Sequence, residues 1–112
     1  NIVSNYIYKL EIEKKNLIMY NKSELLNNFS EREDYKILFK IMLLIYEEAL
    51  NYTLGLKNNI SSYDQFNYLT KCDSKMLIKR IKLITQLLDD INYNVNLELL
   101  LDKFVIELSE VI

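Results

Sequence analysis

The sequence predicts an all-α fold, a compact bundle of five or six helices, on three observations. Proline is absent and glycine occurs once in 112 residues, so few positions can force the backbone out of a helix. Half of the residues are apolar, and along most of the chain they recur at spacings of three and four. Ser, Asp and Asn stand where helices would need N-terminal caps. At this length one continuous core is expected, so residues 1–112 read as a single helical domain. The chain opens with Asn1 rather than methionine and reads as a piece of a longer polypeptide.

A first helix is expected from Asn5 to Tyr20, with Val3, Tyr6, Ile7, Leu10, Leu17 and Ile18 apolar and Glu11, Glu13, Lys14 and Lys15 on the wet face. Asn21 and Ser23 should break it, Ser23 then capping a short helix to Phe29. Ser30-Glu31-Arg32-Glu33 has the capping-box pattern, in which a serine oxygen and a glutamate satisfy backbone N–H groups left over at a helix start. The helix that follows is apolar nearly all round, from Tyr35 to Tyr52, and so is expected in the middle of the bundle. It should stop at Gly55, the residue suited to the left-handed position just past a helix, with Leu56 folding back on the last turn.

Ser62-Tyr63-Asp64-Gln65 is a second capping-box pattern and opens a short helix through Phe66 and Leu69. Asp73 caps a longer one, to about Asn92, whose inward stripe is Leu77, Ile81, Ile84, Leu88 and Ile91; Lys75, Lys79, Lys82, Gln86 and Asp89 lie opposite. Asn96 caps the last helix, where Leu97, Leu101, Phe104, Leu108 and Val111 repeat the spacing and Leu99, Leu100, Val105, Ile106 and Ile112 broaden it. That apolar arc exceeds what one core needs, so a second packing partner is expected there.

Composition excludes several classes of function. A net charge of -2 and a pI of about 5.2 create no general field toward nucleic acid or an anionic membrane. The longest apolar run, Ile41 to Tyr46, is far short of the ~20 residues that span a bilayer. Cys72 is the single cysteine and histidine is absent, so no internal disulfide and no Cys/His metal cluster can form. A cytoplasmic setting is expected. Sequons at Asn21, Asn28, Asn51 and Asn59 read as chance triplets in an Asn-rich chain without a signal peptide.

No catalytic, cofactor-binding or metal site emerges. Without histidine a Ser or Cys nucleophile loses its commonest activator, and one glycine cannot build a phosphate-cradling loop. Cys72 beside Lys71 reads as an ordinary thiol, and the neighbours Glu47-Glu48 and Asp89-Asp90 point about 100° apart on a helix, too divergent to share a substrate atom. Lys75, Lys79, Arg80 and Lys82 form the one concentrated basic stretch and the alternative site, a phosphate-backbone contact, against a plain solvated face. The tyrosines, among them Tyr6, Tyr35, Tyr46, Tyr52, Tyr63 and Tyr93, suit core and interface packing better than base stacking.

The segment Ile91-Asn92-Tyr93-Asn94-Val95-Asn96-Leu97-Glu98-Leu99-Leu100-Leu101-Asp102-Lys103-Phe104 resembles the C-terminal signature of bacterial clamp-loader subunits, in which a long helix ends in an Asn-x-Asn turn followed by a leucine-rich helix. Within that family it is most similar to the delta-prime type of DNA polymerase III, with gamma/tau and delta as relatives. The order of elements over residues 17 to 108 resembles the collar domain, though only the last segment is distinctive. Where relatives often carry an Arg-Asp pair late in the long helix, this chain has Tyr46-Glu47-Glu48-Ala49, so no role transfers there. The resemblance implies an oligomerisation collar, without cofactor, that holds gamma/tau and delta subunits in a hetero-pentamer for DNA replication. DNA would be met only through the assembled complex, and ATPase-type and zinc-bearing domains would precede Asn1. The interface residues expected on this basis are Asn94, Asn96, Leu99, Leu100, Phe104 and Leu108.

Overall fold

The computed structural model describes residues 1–93 and 96–110; Asn94, Val95, Val111 and Ile112, to which the sequence assigned a turn, a linker and the end of the last stripe, lie outside them. The fold is the predicted all-α bundle. Helix α1 (Ile2–Tyr8) widens into a π-helical segment (Lys9–Glu13), and α2 (Leu17–Tyr20) into another (Asn21–Leu26). The long α3 (Arg32–Thr53) follows, then two 3-10 segments (Ile60–Ser62 and Asp64–Lys71), α4 (Ser74–Tyr93) and α5 (Leu97–Glu110). Among the described residues there is no strand. The radius of gyration, 13.6 Å, is that of a packed chain of this length rather than an extended coiled coil.

The expected single first helix is two. It starts early, because the Asn1 side chain accepts the Ser4 N–H at 2.9 Å. It ends at Glu13, where Lys14 and Asn16 turn left-handed, with φ of 60° and 56°. Asparagine tolerates that conformation through its short polar side chain, whereas for lysine it costs about 1–2 kcal/mol. Ser23 caps nothing, its hydroxyl donating instead to the Tyr20 carbonyl. Asn21, expected as a breaker, is wholly buried. It accepts the Tyr6 hydroxyl at 2.8 Å and donates to the Leu101 carbonyl at 3.3 Å, tying α1 and α2 to α5. Leaving those groups unpaired in the core would be costly, and the three-way contact removes that cost.

Both capping boxes fail for local reasons. At the start of α3 the cap position falls on Glu31, and the Glu33 carboxylate pairs with Lys36 at 3.1 Å instead of reaching back. Before the second 3-10 segment the Ser62 hydroxyl donates to the Asn59 carbonyl at 2.7 Å, and Tyr63 holds the cap position. The caps at Asp73, accepting the Met76 N–H at 2.8 Å, and at Asn96, accepting the Leu99 N–H at 3.0 Å, form as expected. So does the stop of α3. Gly55 has φ 75°, its N–H reaches the Tyr52 carbonyl and the Leu56 N–H reaches the Asn51 carbonyl, a Schellman pair that satisfies the last turn. The Leu56 side chain itself stays exposed.

The core is one cluster drawn from every helix. Phe39 of α3 stands at its centre, edge-on to Tyr6 of α1 (6.1 Å) and to Phe104 of α5 (5.6 Å). Tyr6, Tyr35 and Tyr46 are buried as expected for core tyrosines, while Tyr52, Tyr63 and Tyr93 are exposed. Among the described residues no helix is long and apolar enough to cross a membrane.

Candidate interaction surfaces

The six residues expected at a subunit interface divide unevenly. Leu100, Phe104 and Leu108 are buried in the domain's own core, which corrects their assignment as contact residues. They repeat at four-residue spacing, so they share one face of α5, and the Phe104–Phe39 contact shows that this face is turned inward. Leu99 is 64% exposed and Asn96 is exposed while serving as the helix cap. Asn94 lies outside the described residues. The apolar surplus of α5 is therefore Leu99 and Ile106, two turns apart.

The basic stretch divides as well. Lys75, Lys79 and Lys82 are exposed on α4, but Arg80 is 1% exposed and cannot touch a phosphate backbone. Its Nε donates to Glu11 Oε2 at 2.9 Å, and the Tyr46 hydroxyl donates to the same oxygen at 2.5 Å. Glu11, assigned to the wet face by sequence, is 7% exposed. It sits in the π-helical turn that follows α1, where adjacent side chains are less widely splayed than in an α-helix, so Leu10 and Glu11 are both covered. Burial, and next the adjacent Glu11 carboxylate, hold the Tyr46 hydroxyl well above its ordinary pKa, so it stays a neutral donor. Arg80 Nη1 and Nη2 and the Tyr68 hydroxyl are buried without hydrogen-bond partners. None of these groups lines a groove described below, so the cluster links α1, α3 and α4 rather than meeting a substrate.

Nearby, Cys72 is half-buried, its thiol directed to the Tyr68 carbonyl at 3.7 Å. Burial, with Glu11 as the next contribution, raises its pKa, the reverse of an activated thiolate. Among the described residues no group of three or more His, Cys, Asp or Glu side chains could hold a metal ion.

The largest departure from expectation is α3, which is not enclosed by the bundle. Tyr35, Leu38, Phe39, Met42, Tyr46 and Ala49 face the core, whereas Ile37, Ile41 and Leu44 are exposed, Leu44 by 62%. At spacings of four and three they form a stripe along the outside of the helix. Two shallow grooves meet at Ile41. One is lined by Ile2, Val3 and Ile37 with Asp34 as its charged residue, and the other by Leu44, Ile60, Tyr63 and Phe66 with Glu48 as its charged residue. Sequence patterning does not reveal which side of such a helix remains uncovered.

A second apolar groove runs between α2 and α5. Ile18, Met19 and Ile106 are its exposed apolar residues, Leu17 and Val105 its floor, and Lys14 its charged residue. It shares no lining residue with the α3 grooves. Scattered exposed apolar residues are ordinary, but stripes gathered into grooves are the form taken by protein-binding surfaces. No protein-family profile, curated protein or solved structure matches the chain.

Proposed function

We propose that this domain works by packing against other protein subunits, as the collar of a bacterial clamp loader of the delta-prime type, with gamma/tau and delta subunits as its neighbours. The observation that carries the reading is the pair of separate apolar surfaces, α3 with Ile37, Ile41 and Leu44, and the α2–α5 groove with Met19 and Ile106. A member of a closed ring needs two different contact faces, one for each neighbour. The Asn96-capped leucine-rich helix, on which the sequence resemblance rests, supports the family assignment. In this reading α5 serves mainly as the core that holds the second groove in shape, and the contact residues move from Leu100, Phe104 and Leu108 to the exposed stripes.

Co-purification of the full-length chain with gamma/tau and delta tests the reading. Leu44→Asp and Met19→Asp place a charge on one surface each without entering the core, and each is expected to weaken assembly while leaving the domain folded. Retention of neither subunit by the unaltered chain would sink the clamp-loader assignment. A second reading, phosphate contact by Lys75, Lys79 and Lys82, is favoured by their exposure along one face of α4. Absence of salt-dependent retention on single-stranded or primed DNA at low salt would remove it.

A further inference from the structure

The two apolar surfaces differ in charge in a way that selects a partner. The charged side chains lining the α3 grooves are carboxylates, Asp34 and Glu48, and no cation lines them. The charged side chain lining the α2–α5 groove is Lys14, and no carboxylate lines it. Each surface therefore offers what the other lacks at its rim, around an apolar centre of similar character: Ile37, Ile41 and Leu44 on one, Ile18, Met19 and Ile106 on the other. Such an arrangement opposes contact of either surface with itself, because like charges would meet, and favours contact of one with the other.

We propose that the acid-lined α3 face of one copy of this chain seats the lysine-lined α2–α5 groove of a second copy, head to tail. The contact is heterologous: the surface used by the first copy differs from that used by the second, and each bound copy still presents its unused face. The grooves share no lining residue, so filling one removes no wall of the other. Asp34 stands in the first turn of α3 and Lys14 at the end of the π-helical segment after α1, both fixed by backbone structure. The inference rests on reading the two faces as protein interfaces, and does not need the neighbours to be clamp-loader subunits.

Sedimentation of the full chain over a concentration series tests it, with two face-blocked variants. Leu44→Asp disables the α3 face and leaves the groove intact; Met19→Asp does the reverse, and circular dichroism checks that both remain folded. The unaltered chain is expected to gain mass with concentration, and to do so less as salt is raised. Each variant alone is expected to stay monomeric, its self-association weakened at least about tenfold. An equimolar mixture of the two should form a dimer and nothing larger, because one intact face of each kind remains. A chain that is monomeric throughout, a variant that associates by itself, or a mixture that stays monomeric overturns the proposal. Co-purification with gamma/tau and delta can succeed or fail independently of all three results, so failure here is distinguishable from failure of the collar assignment.

Discussion

Arg80 of α4 donates to the Glu11 carboxylate at 2.9 Å, across sixty-nine residues of sequence and almost out of reach of solvent. The pair is incompletely satisfied, since both terminal guanidinium nitrogens lack partners. Burying two charges costs several kcal/mol per ion, and their attraction offsets this only with good geometry and full hydrogen bonding. The contact specifies how α1 meets α4 more clearly than it stabilises the fold.

A substitution cycle separates those roles. Arg80→Met leaves the Glu11 carboxylate buried and uncompensated and is expected to destabilise the domain by about 3–5 kcal/mol. Glu11→Met with Arg80→Met removes both charges and should recover most of that loss, less about 1–3 kcal/mol for the Tyr46 hydroxyl left without an acceptor. Urea denaturation of the single and double variants reads the cycle. A double variant no more stable than Arg80→Met would show the ion pair to be a net stabiliser.

How far this arrangement was legible in sequence depends on the residue. The buried positions of α4 are Leu77, Arg80, Ile84, Leu87 and Ile91, at spacings of three, four, three and four. The stripe assigned from sequence, Leu77, Ile81, Ile84, Leu88 and Ile91, differs from it at two places, and one of these is Arg80. A charged head is scored as outward by any reading of hydropathy, although the position lies on the inward face. Glu11 was missed for the same reason, four residues after buried Ile7 and hence on its face. Helix type, the Gly55 stop and the caps at Asp73 and Asn96 are local events and were readable. The uncovered side of α3 is not local, since it depends on where the other helices lie.

The division within α5 makes a sharper test than its overall hydrophobicity. Phe104 fills the core against Phe39, so Phe104→Ala should cost about 3–5 kcal/mol, and Phe104→Asp, by burying an unpaired charge, should prevent folding. Leu99, exposed three residues after the Asn96 cap, should accept Asp within about 0.5 kcal/mol. Thermal unfolding followed by circular dichroism distinguishes them. Comparable losses at both positions would contradict the inward orientation of Phe104.

Cys72 should behave as a structural thiol. Burial first, and then the Glu11 carboxylate, raise its pKa, so the thiolate fraction at neutral pH falls below that of an unhindered cysteine. Alkylation of the folded chain is expected to be slow and to accelerate on denaturation. A folded-state rate equal to that of the unfolded chain would show the thiol to be open and unperturbed.

Alkali should unfold the domain through its tyrosines. Tyr6 and Tyr46 are fully buried, and desolvation, the largest contribution for each, lifts their pKa above the ordinary value of 10. For an acid whose folded pKa is raised, the unfolded state releases its proton first. The stability tied to these phenols is therefore complete below the unfolded value and is lost progressively as pH rises past it toward the folded one. Tyr46 adds to the effect because its proton is held on the Glu11 carboxylate, and ionisation would set two anions against each other at a 2.5 Å contact. Phenolate absorbance should thus rise in two parts. The exposed rings Tyr52, Tyr63 and Tyr93 ionise near their ordinary pH without change in helicity, and the buried rings ionise only together with loss of helical circular dichroism. Tyr46→Phe should make the second part smaller, and a wild-type titration in one part with helicity retained would contradict the burial of both phenols.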